Sequence, residues 1–155
     1  MRDRKQIKAN KSKLILMSLL FFSFFFIGVF IKEESYSVNL NNRFQGPSLG
    51  HWFGTDWMGR DMLFRTLKGL SRSIGIGIVS AIMSGIIAGV LGALAPIFGG
   101  KTDEALSWMV DLVLAVPHTI LMILISVAFG GGGVGIILGI TLTHWTSLTR
   151  VIRAR

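Results

Sequence analysis

The feature that most constrains this chain is an uninterrupted stretch of uncharged, mostly apolar residues from position 73 to position 98. A helix needs about 20 such residues to cross the roughly 30 Å of hydrocarbon in a bilayer. Charged residues make up only 15% of the chain, against about 25% in an average soluble domain. The sequence therefore predicts an integral membrane protein.

Three further apolar segments cover residues 14–31, 105–129 and 134–148. Together with residues 73–98 they predict an all-α, polytopic transmembrane helical bundle of about four spans. The first segment is longer than the apolar core of a signal peptide, and the Lys-Glu-Glu that follows it is a poor cleavage site, so we interpret it as an uncleaved span. The last segment is short and semi-polar, which suits a helix packed among others.

Basic residues account for the net charge of +8, and most of them flank the apolar segments. Residues 1–13 form a basic N-terminus, and Arg150, Arg153 and Arg155 follow the last apolar segment. Basic flanks of this kind predict a cytoplasmic N-terminus and an extracytoplasmic loop over residues 32–72. The loop carries basic residues of its own, which its acidic residues could pair with locally. Because the basic residues define no nucleic-acid module, we expect no nucleic-acid partner.

Glycine is the second organising feature, with 19 residues and no cysteine in the chain. Gly85 with Gly89 and Gly135 with Gly139 form two GxxxG pairs, which predict close helix packing in lipid. The alternative is that glycine is simply common in membrane helices. Residues 130–133 are four consecutive glycines and predict a hairpin between two spans. No Lys-Ser or Lys-Thr follows them, so they form no nucleotide-binding loop.

A polar segment over residues 51–69 separates the first two apolar segments. From Asp61 onward its apolar and basic residues alternate in a way that suits an amphipathic helix at the membrane interface. Gly54 and Gly59 would allow sharp turns, and Asp56 or Asp61 could cap the helix. His51 precedes a tryptophan and is assigned to the interfacial aromatic belt.

This segment carries the pattern GTDxxGRDxxxR, formed by Gly54, Thr55, Asp56, Gly59, Arg60, Asp61 and Arg65. The pattern resembles the segment that precedes the core domain in permeases of the dipeptide, oligopeptide and nickel ABC importers. Three later stretches resemble the same family in the same order. They contain, respectively, Gly99, Gly100, Asp103 and Glu104; Asp111 and Pro117; and Trp145, Arg150 and Arg153.

The resemblance implies part of a normally six-span permease, C-terminally truncated and located in the cell membrane. Such a subunit is not an enzyme and has no cofactor of its own; ATP and Mg²⁺ are used by partner subunits. The implied partners are a second permease subunit, two cytoplasmic ATPase subunits, an extracytoplasmic substrate-binding protein and membrane lipid. The implied substrates are peptides or nickel and other metal complexes. The alternative is a non-transporting truncated fragment or a membrane assembly protein.

Several residues are candidates for translocation or gating. Asp111 is an ionisable residue within a predicted span, which is a functional hypothesis by default, although it lies near enough to the span end to be a cap. Pro117 should kink its span, and such a kink is either a gating element or an ordinary feature of a membrane helix. Trp145, Arg150 and Arg153 are candidates through the resemblance. His118 and His144, without a carboxylate nearby in sequence, favour interhelical hydrogen bonding over a metal site.

Overall fold

The structure is a computed structural model that describes residues 2–153, with the backbone alone for residues 2–10 and 96. Arg155, one of the basic residues that follow the last apolar segment, lies outside the described residues. The described chain is helical, and an isolated bridge between Thr55 and Asp61 is its one β-type pairing. This confirms the prediction of an all-α membrane bundle. The α-helices are α1 (Arg2–Phe30), α2 (Met62–Phe98), α3 (Gly100–Ala115), α4 (His118–Ala128) and α5 (Gly132–Arg153).

Two helices are long and apolar enough to cross a membrane, over Lys11–Phe30 in α1 and Met62–Ala95 in α2. A third span results if α3 and α4, which are bent by 95° at their junction, count as one. Four spans were expected from the sequence. Among the described residues, α5 is long enough to cross a membrane but is not apolar enough, because it contains several threonines, a histidine and a basic end.

The chain divides into two compact units, one up to Gly75 and one from Ile76. In the first unit α1 lies against the beginning of α2. A side chain on Gly28 would overlap the Leu67 carbonyl and Ser71, so the two backbones pack at the distance that only glycine permits. The Lys68 ammonium donates to the carbonyls of Val29 (3.2 Å) and Ile31 (3.1 Å) and satisfies the end of α1.

Helix α2 differs from the expectation of a separate interfacial helix followed by a span. It begins at Met62 and continues without a break to Phe98. The amphipathic residues after Asp61 therefore form its first turns. The reason is that no proline lies between positions 62 and 73, and Gly69 alone costs a helix only about 1 kcal/mol.

The segment expected to form one span over residues 105–129 consists of two helices. Pro117 has no N–H to donate, and its ring excludes Val116 from the helical region. Val116 accordingly adopts an extended conformation with φ −88° and ψ 136°. The Pro117 carbonyl then accepts from the Leu121 N–H (3.1 Å) in the first turn of α4. The proline thus breaks the segment rather than merely kinking it.

Helices α4 and α5 form a close antiparallel hairpin in the second unit. The turn between them uses the left-handed backbone of Gly130, Gly131 and Gly132. A Cβ atom on Gly139 would lie 2.7 Å from the Met122 carbonyl oxygen, so this glycine allows α5 to touch the α4 backbone. In contrast, nothing lies within 4 Å of a Cβ atom on Gly85 or Gly89. Only one of the two GxxxG pairs packs on another described helix.

Candidate functional site

The GTDxxGRDxxxR pattern forms a closed loop around the carboxylate of Asp56. One oxygen accepts from the backbone N–H groups of Met58 (2.8 Å) and Arg60 (3.0 Å). The other accepts from Arg60 Nε (2.8 Å) and from the Arg65 guanidinium (2.8 Å). Arg65 belongs to the first turns of α2, so the carboxylate joins the loop to that helix. The Asp56 side chain is 9% exposed.

The pKa of Asp56 reflects two opposing effects. Partial burial raises the pKa, since it disfavours the charged form. The hydrogen bonds from the Arg60 side chain and from the backbone N–H groups of Arg60 and Met58 outweigh it, with a further contribution from the Arg60 charge. Together they lower the pKa from 3.8 to about 2. Asp56 is therefore ionised throughout the physiological range.

Two further members of the pattern hold the loop closed through its backbone. Gly59 has a φ of +71°, and a side chain on it would overlap the carbonyl of Asn39. Only glycine fits at this position, where the backbone around Gly59 meets the backbone around Asn39. The Thr55 hydroxyl donates to the Asn42 carbonyl and accepts from the Gln45 N–H (2.9 Å). Gly54 also has a positive φ, of +69°.

Asp61 caps α2, which resolves the choice between Asp56 and Asp61 that the sequence left open. One carboxylate oxygen accepts from the backbone N–H groups of Leu63 (2.9 Å) and Phe64 (3.2 Å). The other lies 2.8 Å from His51 Nδ1. Sequence reasoning assigned His51 to the aromatic belt and missed this pair. His51 and Asp61 are ten positions apart in the sequence, and no local sequence pattern indicates that the loop brings them together.

In the second unit, two ion pairs join α3 to α5. Arg150 pairs with Asp111, and both side chains are more than half exposed. Arg153 pairs with Asp103 and donates to the Ser107 hydroxyl at 3.0 Å. The sequence candidates Asp103, Asp111, Arg150 and Arg153 are thus brought together along one helix pair.

The remaining candidates of the second unit have separate positions. Gly99 and Gly100 form the turn from α2 into α3, and Glu104 is exposed. Trp145 is buried in a small core with Ala88, Ala95, Leu106 and Val110. Pro117 lies at the break between α3 and α4. These residues do not converge on one site.

Small hydroxyl-bearing residues line the contact between α2 and α5. The Ser84 hydroxyl donates to the Ser80 carbonyl (2.8 Å) and lies 3.4 Å from the Thr141 carbonyl across the contact. The Ser80 and Thr141 hydroxyls have no partner among the described residues. Sequence reasoning missed this buried polar contact, because serine and threonine within apolar segments resemble ordinary packing residues. Ser80 and Ser84 of α2 are at most 1% exposed, as are four threonines of α5, Thr141, Thr143, Thr146 and Thr149.

Beside this contact α2 and α5 form a groove of about 590 Å³. Its α2 side is made of small residues, and its α5 side includes His144 and Ser147. The His144 Nδ1 atom lies 3.1 Å from the Ile140 carbonyl oxygen. His118, the first residue of α4, packs edge-to-face on His144 with ring centroids 4.7 Å apart. The described residues contain no cluster of three or more potential metal ligands.

Comparison with known proteins shows what this arrangement is related to. The chain is 34% identical to the oligopeptide transport system permease protein of Bacillus subtilis (strain 168) over 92% of its length. It is 30% identical, over 97% of its length, to the dipeptide transport system permease protein of the same strain. The chain belongs to the permease family of peptide ABC importers. No protein-family profile matches it.

A third member of this permease family is the probable D,D-dipeptide transport system permease protein of Escherichia coli (strain K12). It is 28% identical to the chain over 99% of the chain's length. Both units and the loop around Asp56 therefore fall within the family likeness. The chain spans about half the length of the curated relatives it matches, with 47% of the first, 48% of the second and 56% of the third covered.

Proposed function

We propose that this chain forms part of the permease subunit of an ATP-driven peptide importer in the cell membrane, with a cytoplasmic N-terminus. The observation that carries the proposal is the likeness to three relatives that are named as permeases for oligopeptides, dipeptides or D,D-dipeptides. Peptides are preferred over nickel or other metal complexes as the substrate because of these names.

The proposed contribution to the translocation path is the groove between α2 and α5. A peptide presents N–H and C=O groups in every residue, and these need hydrogen-bond partners wherever they leave water. Ser84, His144 and Ser147 supply hydroxyl and imidazole groups along a wall whose other residues are small on α2 and include two aliphatic side chains, Ile140 and Leu148, on α5. Such a wall can accept a peptide backbone without selecting particular side chains.

The proposed moving part is the contact between α3 and α5. The Asp111–Arg150 pair is exposed on both sides, and exposed pairs contribute only about 0–1 kcal/mol. It can therefore break and re-form at little cost. Arg153 is bound by both Asp103 and Ser107 and is only 23% exposed, so it would hold while the other pair opens. Pro117 and Trp145 would set the bend and the core about which this movement occurs.

The proposed partners are a second permease subunit, two cytoplasmic ATPase subunits and an extracytoplasmic substrate-binding protein, all within membrane lipid. ATP and Mg²⁺ would act in the ATPase subunits, and the permease would supply no catalytic residue. The family relationship supports this composition in general.

Uptake measurements test the proposal. Cells whose gene for this chain is deleted should fail to accumulate a labelled tetrapeptide, whereas uptake of a labelled free amino acid stays normal. A gene copy with Ser147→Phe, which fills the groove from an exposed position, should restore little peptide uptake. The matched control is Leu142→Phe, an exposed position of α5 outside the groove, which should restore uptake fully.

Two results would contradict the proposal. Unchanged tetrapeptide uptake in the deleted strain would exclude a transport role. Full uptake with Ser147→Phe would exclude the groove from the path. A third pattern would identify an assembly protein. In that case the deletion would remove the ATPase subunits from the membrane, and the Ser147→Phe copy would restore both their location and full peptide uptake.

A further inference from the structure

A continuous apolar strip crosses the first unit from the end of α1 to the tip of the loop that follows it. One shallow cavity of about 610 Å³ is lined mainly by apolar residues, among them Phe26 and Phe30 of α1 and Phe64 of α2, together with Lys32 and Ser35. A second cavity of about 320 Å³ is lined by the same Phe64, by Leu49 and Trp52 of the loop, and by the largely buried Asp61. Because Phe64 lines both cavities, the lipid-facing end of α1 and the loop tip form one surface.

The loop tip displays its apolar side chains on a fixed backbone. Leu49 is 98% exposed and Trp52 is 68% exposed. They flank His51, whose N–H donates to the Ser48 carbonyl (3.2 Å) and whose carbonyl accepts from the Ser48 N–H (2.9 Å). The His51 ring is in turn bound to Asp61. Exposed apolar groups on an ordered turn indicate a contact surface.

The same tip has no charge. Residues 44–55 contain no aspartate, glutamate, lysine or arginine. A surface that docks on a water-soluble protein usually has a polar, partly charged rim. Uncharged segments with tryptophan, phenylalanine and leucine are typical of the boundary between lipid headgroups and acyl chains.

The position of the tip relative to α1 brings it to this boundary. The Lys68 ammonium is bonded to the Val29 and Ile31 carbonyls, so the first turns of α2 lie beside the last turn of α1. The Lys11–Phe30 stretch of α1 is the membrane-capable part, and only 6% of it is buried by the rest of the chain. The rest of the described chain therefore leaves α1 uncovered up to Phe30, where the apolar strip begins.

We propose that Leu49, Trp52 and Phe64 anchor the loop in the bilayer leaflet at which α1 ends. Phospholipid is the occupant of the strip: acyl chains cover Phe26, Phe30 and Phe64, and Leu49 and Trp52 lie at headgroup depth. The anchor fixes the orientation of the loop around Asp56 relative to the membrane surface. It depends on membrane insertion of α1 and not on transport.

Site-directed spin labelling tests the anchor directly, because the chain contains no cysteine. Leu49→Cys would carry a nitroxide at the tip, and Asn41→Cys, also exposed, would carry the control label in the polar part of the same loop. The full chain is reconstituted in phosphatidylethanolamine–phosphatidylglycerol liposomes. The ratio of collisions with O₂ to collisions with a water-soluble nickel chelate should be several-fold higher at Leu49 than at Asn41.

Equal ratios at the two positions would overturn the proposal. So would a Leu49 label that is open to the chelate in liposomes and becomes shielded only when the extracytoplasmic binding protein is added, since that result would assign the tip to a protein partner. Leu49 is almost fully exposed, so its replacement should leave the fold intact. Phe53→Cys, at a position 60% exposed on the same tip, provides a second label that should agree with the first.

Discussion

Replacing Gly139 by alanine should destabilise the α4–α5 hairpin, whereas the same replacement of Gly85 should not. The added Cβ atom would lie 2.7 Å from the Met122 carbonyl oxygen, whereas ordinary contacts begin at 3.4 Å. The helices must therefore separate locally by about 0.7 Å. A gap of this size loses roughly a quarter to a half of the van der Waals attraction in each affected atom–atom contact. At Gly85 the new methyl group meets open space.

The expected magnitudes combine two terms. Overpacking in a close contact costs about 1–3 kcal/mol. Alanine is more favourable than glycine within a helix by about 0.5–1 kcal/mol, and this gain applies to both positions. Gly85→Ala should therefore stabilise the chain slightly, and Gly139→Ala should lie about 1–3 kcal/mol below it in free energy of unfolding.

Titration of the detergent-solubilised chain with sodium dodecyl sulfate, followed by far-ultraviolet circular dichroism, measures both free energies of unfolding. The comparison cancels the helix-propensity gain that the two variants share. If Gly139→Ala unfolded at the same or a higher denaturant fraction than Gly85→Ala, the backbone contact between α5 and Met122 would be refuted.

Three other outcomes are expected. Because the pKa of Asp56 is lowered to about 2, its contribution to loop stability is present above its ordinary pKa of 3.8 and is lost as the pH falls toward 2; the rate at which pepsin cleaves the unaltered chain, divided by the rate for Asp56→Asn at the same pH so that the pH dependence of pepsin cancels, should therefore rise across that interval. Arg153→Ala should cost about 1–2 kcal/mol because it strands the half-buried Asp103 carboxylate, whereas Arg150→Ala should cost less than about 1 kcal/mol; dodecyl sulfate titration compares the two. Trp145→Ala should cost about 3–5 kcal/mol by opening a cavity in the second unit's core, seen as a lower melting temperature in size-exclusion thermostability measurements.

Each of these has a contrary result. A ratio of pepsin cleavage rates, unaltered chain to Asp56→Asn, that stays constant between pH 4 and pH 2 would show that ionised Asp56 does not close the loop. If Arg153→Ala and Arg150→Ala lowered the free energy of unfolding equally, the difference in exposure between the two ion pairs would not determine their contributions to stability. An unchanged melting temperature for the tryptophan variant would place that side chain outside the core.

The sequence was sufficient for the class of fold because lipid imposes a simple rule on composition. A long uncharged stretch such as residues 73–98 has few alternatives to a membrane helix. It was insufficient for the division into helices. Apolar content alone did not reveal that α2 starts at Met62, nor that the segment around Pro117 turns by 95°. Both depend on backbone continuity and on neighbouring helices rather than on hydropathy.

The loop residues illustrate the same limit at the level of the site. The pattern around Asp56 was recognisable because its members are close in sequence. The partners that explain it are farther away: Asn39 opposite Gly59, and His51 beside Asp61. Likewise, the two GxxxG pairs look equivalent in sequence, yet only the one containing Gly139 faces a described helix. Tertiary contacts, which a local pattern does not contain, make the difference.

The break at Pro117 has a consequence for how this segment is held in the membrane. Helix α3 has 16 residues and α4 has 11, which correspond to about 24 Å and 16 Å. Neither reaches across about 30 Å of hydrocarbon, and the backbone groups freed at the break cannot be left facing lipid. A neighbouring helix must therefore cover the break before α3 and α4 can lie stably in the bilayer, and α5, which packs along α4, is the described helix placed to do so.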